Sequence, residues 1–405
     1  HDFQLTERTA QAIVRLCRKL EGWPLAIELA AGWSRTLTVN QMNEQLAEHF
    51  DRLPSRRRDA GERHRSLGAV LDQSFELLTP NLRDSLMRLS VIEGAFDHET
   101  AEAVGVGPDT LDIIQSLGEL NWLSISQESG LTYFHTLESV RLFVMDRAPS
   151  ELRESARRGF CQHYVDALTK ADPNSTTGLR VFQDYSNCVR ATQWLIEMGD
   201  NKGALSVAGA LLAALPRFAG FWDFEALYEL IRPLVEELDA QYPDLVARVR
   251  MNLGQTSLLH SSTVKLDWRS ELGKAYAYFL ASGAFREYCI CLISLGSRLH
   301  YEKEYVHAVE VYEEAEAVAR REGLKYERSR ALHGLTNSNV NLGNLESARK
   351  LAETSVLIAE ETGRADRICP ALLALAGVIY AQNNYQLALE TVLRAKAVLS
   401  VSTEH

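Results

Sequence analysis

The sequence predicts an all-α protein: an α-α superhelix of helical repeats that follows an N-terminal helical segment and a small domain with one β-hairpin. Three observations lead to this fold class. Most windows of the 405-residue chain repeat apolar residues at spacings of three and four, and only 10 prolines and 24 glycines interrupt them. One short segment alternates as a hairpin does, and the C-terminal third repeats with a fixed period.

The C-terminal repeat has a period of 40 residues and involves apolar and small positions on two successive helices. A small residue at the crossing point, with a bulky residue three positions before it, suits close packing of antiparallel helices. The repeating sets are Leu292, Leu332 and Leu372; Leu295, Leu335 and Leu375; Tyr305, Leu345 and Tyr385; Ala308, Ala348 and Ala388; Tyr312, Ala352 and Val392; and Ala315, Ser355 and Ala395. Self-similarity at this period predicts a solenoid of helix pairs.

These positions resemble the tetratricopeptide repeat (TPR), in the 40-residue form found in bacterial regulators. Gly296 of the first repeat also matches the pattern, whereas Thr336 and Ala376 take its place in the next two repeats. The best repeats cover residues 286–400, and degenerate helical pairs extend the predicted superhelix to residues 151–405. The resemblance implies a concave groove that binds a protein or a small inducer.

Residues 61–150 are predicted to form a separate small domain of helices and one hairpin. The helical patterns lie near residues 67–77, 80–89, 98–104 and 110–120, and the strands lie at residues 122–126 and 131–135. Three helices and a hairpin are the pattern of a winged helix. The helix that would read DNA contains Asp112 and Glu119 and no Lys or Arg, so we expect an internal packing module and no direct DNA binding by this chain.

Residues 51–65 differ from their surroundings, with six arginines interrupted by Pro54 and Gly61. We interpret this segment as an exposed linker between domains. A nucleic-acid-binding arm is the alternative, but no aromatic residues interleave with the arginines and the chain carries a net charge of −11.

The composition is that of a globular protein in a reducing compartment. Hydrophobic residues make up 46% and charged residues 24% of the chain, which argues against a disordered protein. The six cysteines are scattered and are expected to act as small, reduced hydrophobes. No stretch is long and apolar enough for a membrane span. We therefore expect a cytoplasmic protein, and the absence of an initial Met or a signal-peptide pattern predicts a segment of a longer chain.

Motifs for catalysis are missing from the sequence. Gly273 and Lys274 are followed by Ala275 and lack the earlier glycine of a phosphate-binding loop. Zinc-protease, paired-cysteine, nucleophile-elbow and dinucleotide motifs do not occur, and the histidines lack metal-ligand spacing. We expect this chain to be no enzyme and to hold no metal or cofactor of its own.

Several segments, in order, resemble the signal-transducing STAND ATPases, the NB-ARC-like group, in the version found in large LuxR-type and AfsR-like bacterial regulators. Residues 20–31 resemble the Gly-Leu-Pro-Leu-Ala segment of that family. The other matching segments are residues 63–67, 89–97, 101–104 and 134–141. With the repeats behind them, the resemblance covers nearly the whole chain, and it implies that residues 1–60 are the C-terminal part of the ATPase helical domain.

The resemblance also implies part of a nucleotide site. Gly22 and Pro24 match the segment that borders the adenine, and His135 matches the histidine that contacts the β-phosphate of ADP. Thr136 stands where the family has Asp. An interhelical turn at Pro24 and a structural role for His135 are the alternatives. ATP or ADP with Mg would bind in a longer parent protein, whose phosphate-binding loop and metal ligands precede this chain.

The expected function is the regulatory and sensor region of a bacterial STAND-type transcriptional regulator. The winged helix would hold the ADP-bound resting state, and the TPR groove would bind a protein or small-molecule inducer. Asn337, Asn339, Asn341 and Tyr380 fall on the first helices of repeats and are the predicted partner contacts. The N-terminal nucleotide-binding domain of the same parent is a second expected partner. The alternative is a scaffold without nucleotide, whose repeats hold a partner helix or peptide.

Overall fold

The structure, a computed structural model, describes residues 7–19, 38–45, 71, 74–128, 131–170, 184–214, 224–256 and 266–402. Within these residues the regular structure is helical apart from one two-stranded antiparallel sheet, which confirms the predicted fold class. The chain divides into two compact units, residues 1–207 and 208–405. Gly22, Pro24 and the arginine-rich segment 51–65 lie outside the described residues.

Local sequence determines where helices of the first unit begin. Thr79 caps one helix by accepting a hydrogen bond from the backbone N–H of Leu82 at 3.3 Å, and Asp97 caps the next by accepting from that of Thr100 at 2.9 Å. The helices that begin in this unit are α1 (Glu7–Lys19), α2 (Val39–Gln45), α3 (Pro80–Leu89), α4 (His98–Ala103), α5 (Thr110–Glu119), α6 (Glu138–Arg147), α7 (Ser150–Lys170), α8 (Tyr185–Glu197) and α9 (Asn201–Ala214).

The sheet is a hairpin of β1 (Ser124–Glu128) and β2 (Leu131–His135). Its first strand begins two residues later than the sequence predicts. Asn121 adopts a left-handed conformation, with φ of 60°, where the chain leaves α5. Trp122 and Leu123 are then buried before the strand pairing starts, so their apolar character reflects the core of the unit and not the ladder.

Aromatic side chains fill the core beneath this hairpin. The backbone of Phe96 forms an isolated antiparallel bridge with that of Phe134, with N···O distances of 2.9 and 2.8 Å. The Phe75 ring lies edge-on to the rings of Trp122 and Phe143, at centroid distances of 6.1 and 6.0 Å. The segment before α4 is thereby fixed to β2, the second strand of the hairpin.

The second unit contains the predicted repeats. From α13 onward each helix begins 20 residues after the last, and Leu292, Leu332 and Leu372 are all buried. This spacing confirms the helix pairs of 40 residues. The helices of this unit are α10 (Phe224–Glu237), α11 (Pro243–Thr256), α12 (Trp268–Ser282), α13 (Phe285–Tyr301), α14 (Tyr305–Arg321), α15 (Lys325–Asn341), α16 (Leu345–Thr362), α17 (Ala365–Ala381) and α18 (Tyr385–Ser402).

The turn inside each repeat has the same backbone shape. One residue with positive φ follows each of α13, α15 and α17, namely Lys303 at 65°, Gly343 at 79° and Asn383 at 63°. A side chain in this left-handed conformation costs on the order of 1 kcal/mol relative to glycine. The middle repeat therefore has the residue best suited to this turn, while its two neighbours carry mild strain there.

Tyr312 on α14 lies in a slot between two glycines of the adjacent first helices. A methyl group added to Gly334 would lie 2.2 Å from a carbon of the Tyr312 ring, and one added to Gly296 would lie 2.8 Å from it. The phenol is within hydrogen-bond distance of Ser297 Oγ, at 2.9 Å, and burial raises the pKa of Tyr312 to about 12. The ring fits only because both neighbouring helices lack a side chain at these points.

A set of hydrogen bonds ties first helices to second helices across 26 residues. Cys289 Sγ donates to the carbonyl of Ala315 at 3.7 Å, and Cys369 Sγ donates to the carbonyl 26 residues after it at 3.5 Å. In the middle repeat the direction reverses, and Ser355 Oγ donates to the carbonyl of Ser329 at 3.2 Å. These buried cysteines thus act as weak donors as well as small hydrophobes.

We expect Gly334→Ala to lower the free energy of unfolding by about 1–3 kcal/mol, because the new methyl group overpacks against the Tyr312 ring. Alanine otherwise stabilises a helix interior over glycine by roughly 0.5–1 kcal/mol. Gly377→Ala is the matched control, since nothing lies within 4 Å of a methyl group added at this position of α17. Denaturant unfolding should give opposite signs for the two variants, and stabilisation by both would contradict the slot.

Candidate functional site

His135 is the last residue of β2 and is half buried. Ser124 Oγ, on the paired strand, donates to the backbone carbonyl of His135 at 3.3 Å. The next residue, Thr136, is buried, and its hydroxyl has no hydrogen-bond partner among the described residues. A buried polar group left unpaired costs about 1–3 kcal/mol. The structure thus places His135 at the exit of the hairpin, and its contact with a nucleotide stays a prediction.

Arg141 joins the segments on either side of this hairpin. Its buried guanidinium donates to both carboxylate oxygens of Glu138, each at 2.8 Å. It also donates to the carbonyl of Ser90 at 3.4 Å and lies 3.9 Å from the carboxylate of Glu93, which forms an ion pair with Arg190. Arg141 therefore ties the first turn of α6, directly after the hairpin, to the segment that follows α3.

The first helices of the repeats form the second candidate surface. Helix α15 contacts both α13 and α17, and each of the three also contacts its own second helix. On α15, Arg330, His333 and Asn337 are half buried and recur at i, i+3 and i+7, so they share one side of the helix. The residues between them are buried. We call these three residues together with Asn341, which is exposed one turn further on, the α15 face.

The structure separates the three asparagines predicted to contact a partner. The amide of Asn337 lies 3.0 Å from His333 Nε2, and Asn341 Nδ2 donates to the carbonyl of Asn337 at 2.9 Å. Asn339 is buried instead. Its Nδ2 donates to a carbonyl one turn back at 3.0 Å, and its Oδ1 accepts from Asn344 at 3.2 Å. The polar atoms of Asn339 are used within the turn that ends α15, and its contact with a partner stays a prediction.

Tyr380, the fourth predicted contact, lies on α17 and is 63% exposed. Its ring packs against that of Tyr385, with centroids 5.2 Å apart. Leu373, seven residues earlier on the same side of α17, is 51% exposed. This helix therefore presents an apolar surface, and the role of Tyr380 in partner binding stays a prediction.

His333 of the α15 face and His300 of α13 both have a lowered pKa, which favours the neutral imidazole. Burial lowers the pKa of His333, and the positive charge of Arg367 on α17 lowers it further, while the carbonyl of Pro370 raises it. Burial also lowers the pKa of His300, whose Nδ1 lies 2.9 Å from Ser338 Oγ. At neutral pH this part of the surface therefore owes its positive charge to arginines.

Sequence reasoning missed Arg330, His333 and Arg367 as candidate site residues. Arg330 makes no hydrogen bond or ion pair within the described part of the chain. The 40-residue register contained the signal, because Ile290 and Pro370 occupy the equivalent positions in the flanking repeats. A charged residue at an otherwise apolar register position indicates either a buried ion pair or a ligand.

The buried cysteines are unsuited to nucleophilic chemistry. Burial raises the pKa of the Cys161 and Cys289 thiols to about 12, so both are protonated at neutral pH. In the described ranges no group of three or more His, Cys, Asp or Glu side chains could hold a metal ion. None of the helices found there is long and apolar enough to cross a bilayer.

Curated relatives of this chain occur in mycobacteria, although no protein-family model matches it. Proteins of Mycobacterium tuberculosis and Mycobacterium bovis named "Putative HTH-type transcriptional regulator" are 29% identical to it over 220 residues, which cover 52% of this chain and 25% of each relative. An M. tuberculosis protein with no function in its name is 30% identical over 152 residues, 36% of this chain and 39% of that protein. The chain thus spans a quarter of the length of the first relatives.

Two crystal structures are similar to the chain at low identity. A STAND protein with a tetratricopeptide repeat sensor from Pyrococcus horikoshii gives a TM-score of 0.45 and 14% identity, over 92% of this chain and 59% of that chain. A Rap protein complexed with Competence and Sporulation Factor gives a TM-score of 0.36 and 14% identity, over 82% and 75%. Both scores lie below 0.5, so neither structure supports an assignment of function or of site residues.

We expect Arg141→Met to lower the free energy of unfolding by about 1–3 kcal/mol, because it removes charge-assisted hydrogen bonds and leaves the carbonyl of Ser90 unpaired. Arg158→Met is the matched control, since Arg158 is 66% exposed and pairs with Glu154 on the same helix. An exposed pair of this kind contributes roughly 0–1 kcal/mol. Equal destabilisation of the two variants in denaturant unfolding would contradict the anchoring role of Arg141.

The free energy of unfolding should fall as the pH is lowered through the ordinary histidine value of 6.5. Folded His333 and His300 resist the proton that the unfolded chain accepts, so acid favours unfolding. His333→Gln should reduce this pH dependence, because it removes one of the two groups that titrate. Denaturant unfolding at about pH 7.5 and about pH 5.5 measures the effect. An unchanged slope in His333→Gln would contradict it.

Proposed function

We propose that this chain is the regulatory and sensor region of a STAND-type signal-transduction ATPase, and that the parent is a bacterial transcriptional regulator of the LuxR or AfsR-like type. In this proposal the repeats bind a protein or a small inducer. Helices α3, α4 and α5 and the hairpin, all within residues 61–150, are a winged helix that holds the ADP-bound resting state. Inducer binding shifts the equilibrium toward an open, ATP-bound form because it favours one of the two states.

The observation that carries this proposal is the order of parts along the chain. Segments that resemble the STAND family surround a hairpin that Arg141 anchors, and helix pairs with a 40-residue period follow them. The sequence similarity to mycobacterial proteins named as HTH-type regulators, over 52% of this chain, supports the same reading. The bridge between Phe96 and Phe134 supports the winged helix, because it adds a third strand-like segment beside the hairpin.

The nucleotide chemistry of the proposal belongs to the longer parent. Gly22, Pro24 and His135 supply part of a site for ATP or ADP, and an N-terminal domain of the parent supplies the phosphate-binding loop and the ligands for Mg²⁺. This chain alone then performs no catalysis, because phosphate and metal contacts provide most of the binding and the chemistry in such sites. Helix α5, with Asp112 and Glu119 and no basic residue, contacts no DNA in this scheme.

The second candidate function is a scaffold that binds a partner helix or peptide without any nucleotide. Its support is the apolar surface of the last repeat, where Leu373, Tyr380 and Tyr385 are each more than half exposed. In this case the STAND-like segments are structural remnants. The two functions differ in whether nucleotides stabilise the parent protein.

For the parent protein we expect ADP at a hundredfold excess over its Kd to stabilise the folded state by about 2.7 kcal/mol. His135→Ala should weaken this stabilisation, since the imidazole is proposed to donate to the β-phosphate. His98→Ala is the matched control, because His98 is exposed at the start of α4. Thermal unfolding with increasing ADP or ATP measures both variants.

Two outcomes would contradict the sensor proposal. Absence of saturable stabilisation by either nucleotide would favour the scaffold. A parent protein that lacks residues 286–405 and still shows a normal transcriptional response to its inducer would exclude the repeats as the sensor.

A further inference from the structure

Arg330 on α15 is a charged side chain that forms no ion pair within the described residues. It is half buried, and its guanidinium makes no hydrogen bond within that part of the chain either. Burial lowers the pKa of Arg330 and the positive charge of Arg367 lowers it further, while Tyr326, Glu327 and Tyr312 act in the opposite direction. Burying an unpaired charge is costly, so a residue in this position normally has a partner.

The charged groups around Arg330 leave an excess of positive charge. Glu327 is buried and pairs with Arg286 at 2.9 Å. Asp366 pairs with Arg364 at 3.0 and 3.1 Å and lies 3.5 Å from Arg367 Nε. Together with Arg330, these residues carry four positive charges and two negative charges. The positive charges belong to Arg286, Arg330, Arg364 and Arg367, and the negative charges belong to Glu327 and Asp366. This local excess stands in a chain whose net charge is −11.

Two buried nitrogen atoms near Arg330 are donors that make no hydrogen bond of good geometry, Arg367 Nε and His333 Nδ1. Arg367 lies over the Tyr326 ring, 4.5 Å from its centroid, and its Nε makes no hydrogen bond although the Asp366 carboxylate lies 3.5 Å away. His333 Nδ1 is buried and also makes no hydrogen bond of good geometry, although the Pro370 carbonyl is near. With the Asn337 amide donating to Nε2, the proton of the neutral ring lies on Nδ1.

We propose that Arg330, Arg367 and His333 bind one oxyanion, a carboxylate or phosphate group of a small ligand, where α15 contacts α17. A guanidinium offers parallel N–H donors that match the two oxygens of such a group, and Arg367 Nε and His333 Nδ1 add further donors from the sides. Asn337 is a positioning residue, because its amide orients the His333 ring.

Other kinds of ligand fit this arrangement less well. A cation would meet the uncompensated arginines, and an apolar group would leave every one of these donors unpaired. An oxyanion supplies the missing charge and accepts hydrogen bonds from several donors at once. This inference rests on the proposal that the repeats are the sensor, and it names the chemistry that the sensor recognises.

The test uses the whole chain with inorganic phosphate and with succinate as probes, each compared with chloride at equal ionic strength. We expect at least one probe to raise the unfolding temperature of the wild-type chain in a saturable manner, and the stronger probe identifies phosphate or carboxylate as the preferred group. In Arg330→Met the affinity should fall about tenfold or more. In the absence of either probe this variant should unfold at a higher temperature than wild type, because an unpaired buried charge is removed.

Two further variants keep the outcome clear. Arg330→Lys retains the charge without the planar fork and should weaken binding while leaving the cost of the buried charge in place. Arg320→Met is the matched control, since Arg320 is 63% exposed and 3.9 Å from Glu316, and it should change neither property. As an independent readout, the bound probe should raise the pKa of His333, measured from its imidazole proton resonance, and His333→Gln assigns that resonance.

The inference is overturned by either of two results. One is that neither probe stabilises the wild-type chain beyond chloride. The other is that both probes stabilise Arg330→Met as much as wild type. These results concern the chain alone, so they leave the sensor proposal to the nucleotide and deletion experiments on the parent protein. A parent that fails those experiments while this chain still binds an oxyanion would refute the sensor proposal and keep the site.

Discussion

The packing of Tyr312 between Gly296 and Gly334 is the constraint on which the repeats of the second unit depend. One large ring fills the space between two first helices and the second helix that joins them, and an added methyl group at either glycine would lie within 2.9 Å of it. Protein interiors tolerate such overlap poorly because they are already close-packed. The Tyr312 ring therefore limits how closely α13 and α15 approach each other at Gly296 and Gly334. The same limit applies to the side chains one turn away on these helices.

The unusual polar chemistry of the unit follows from this close approach. Arg330 lies one helical turn before Gly334, so the same contact that admits the Tyr312 ring brings a guanidinium near the phenols of Tyr312 and Tyr326. Asn339, by contrast, forms hydrogen bonds with groups of its own helix and of the turn after α15. Arg330 forms no hydrogen bond or ion pair within the described residues. A sensor surface needs groups of this kind, which are held rigidly and left unpaired until the ligand arrives.

The first unit uses its polar groups in the opposite way. Arg141 is buried and fully engaged by Glu138 and the carbonyl of Ser90, and it holds the hairpin in place. Its neighbour Thr136 leaves a buried hydroxyl unpaired next to His135. In the proposed regulator the two units have different roles. The rigid support around the hairpin positions His135 to contact a phosphate, and the repeats bind the inducer.

The sequence by itself determined the helical class, the hairpin and the 40-residue register, because these depend on the period of apolar residues and on local caps such as Asp97. It also placed Asn337 and Asn341 on first helices. The tertiary structure alone decided that Asn339 is consumed in a turn, that Trp122 belongs to the core and not to the strand, and that Arg330, His333 and Arg367 converge. Periodicity indicates which side of a helix is apolar. It does not show which charges meet, because Arg330 and Arg367 are more than 30 residues apart and approach each other only when the helices pack.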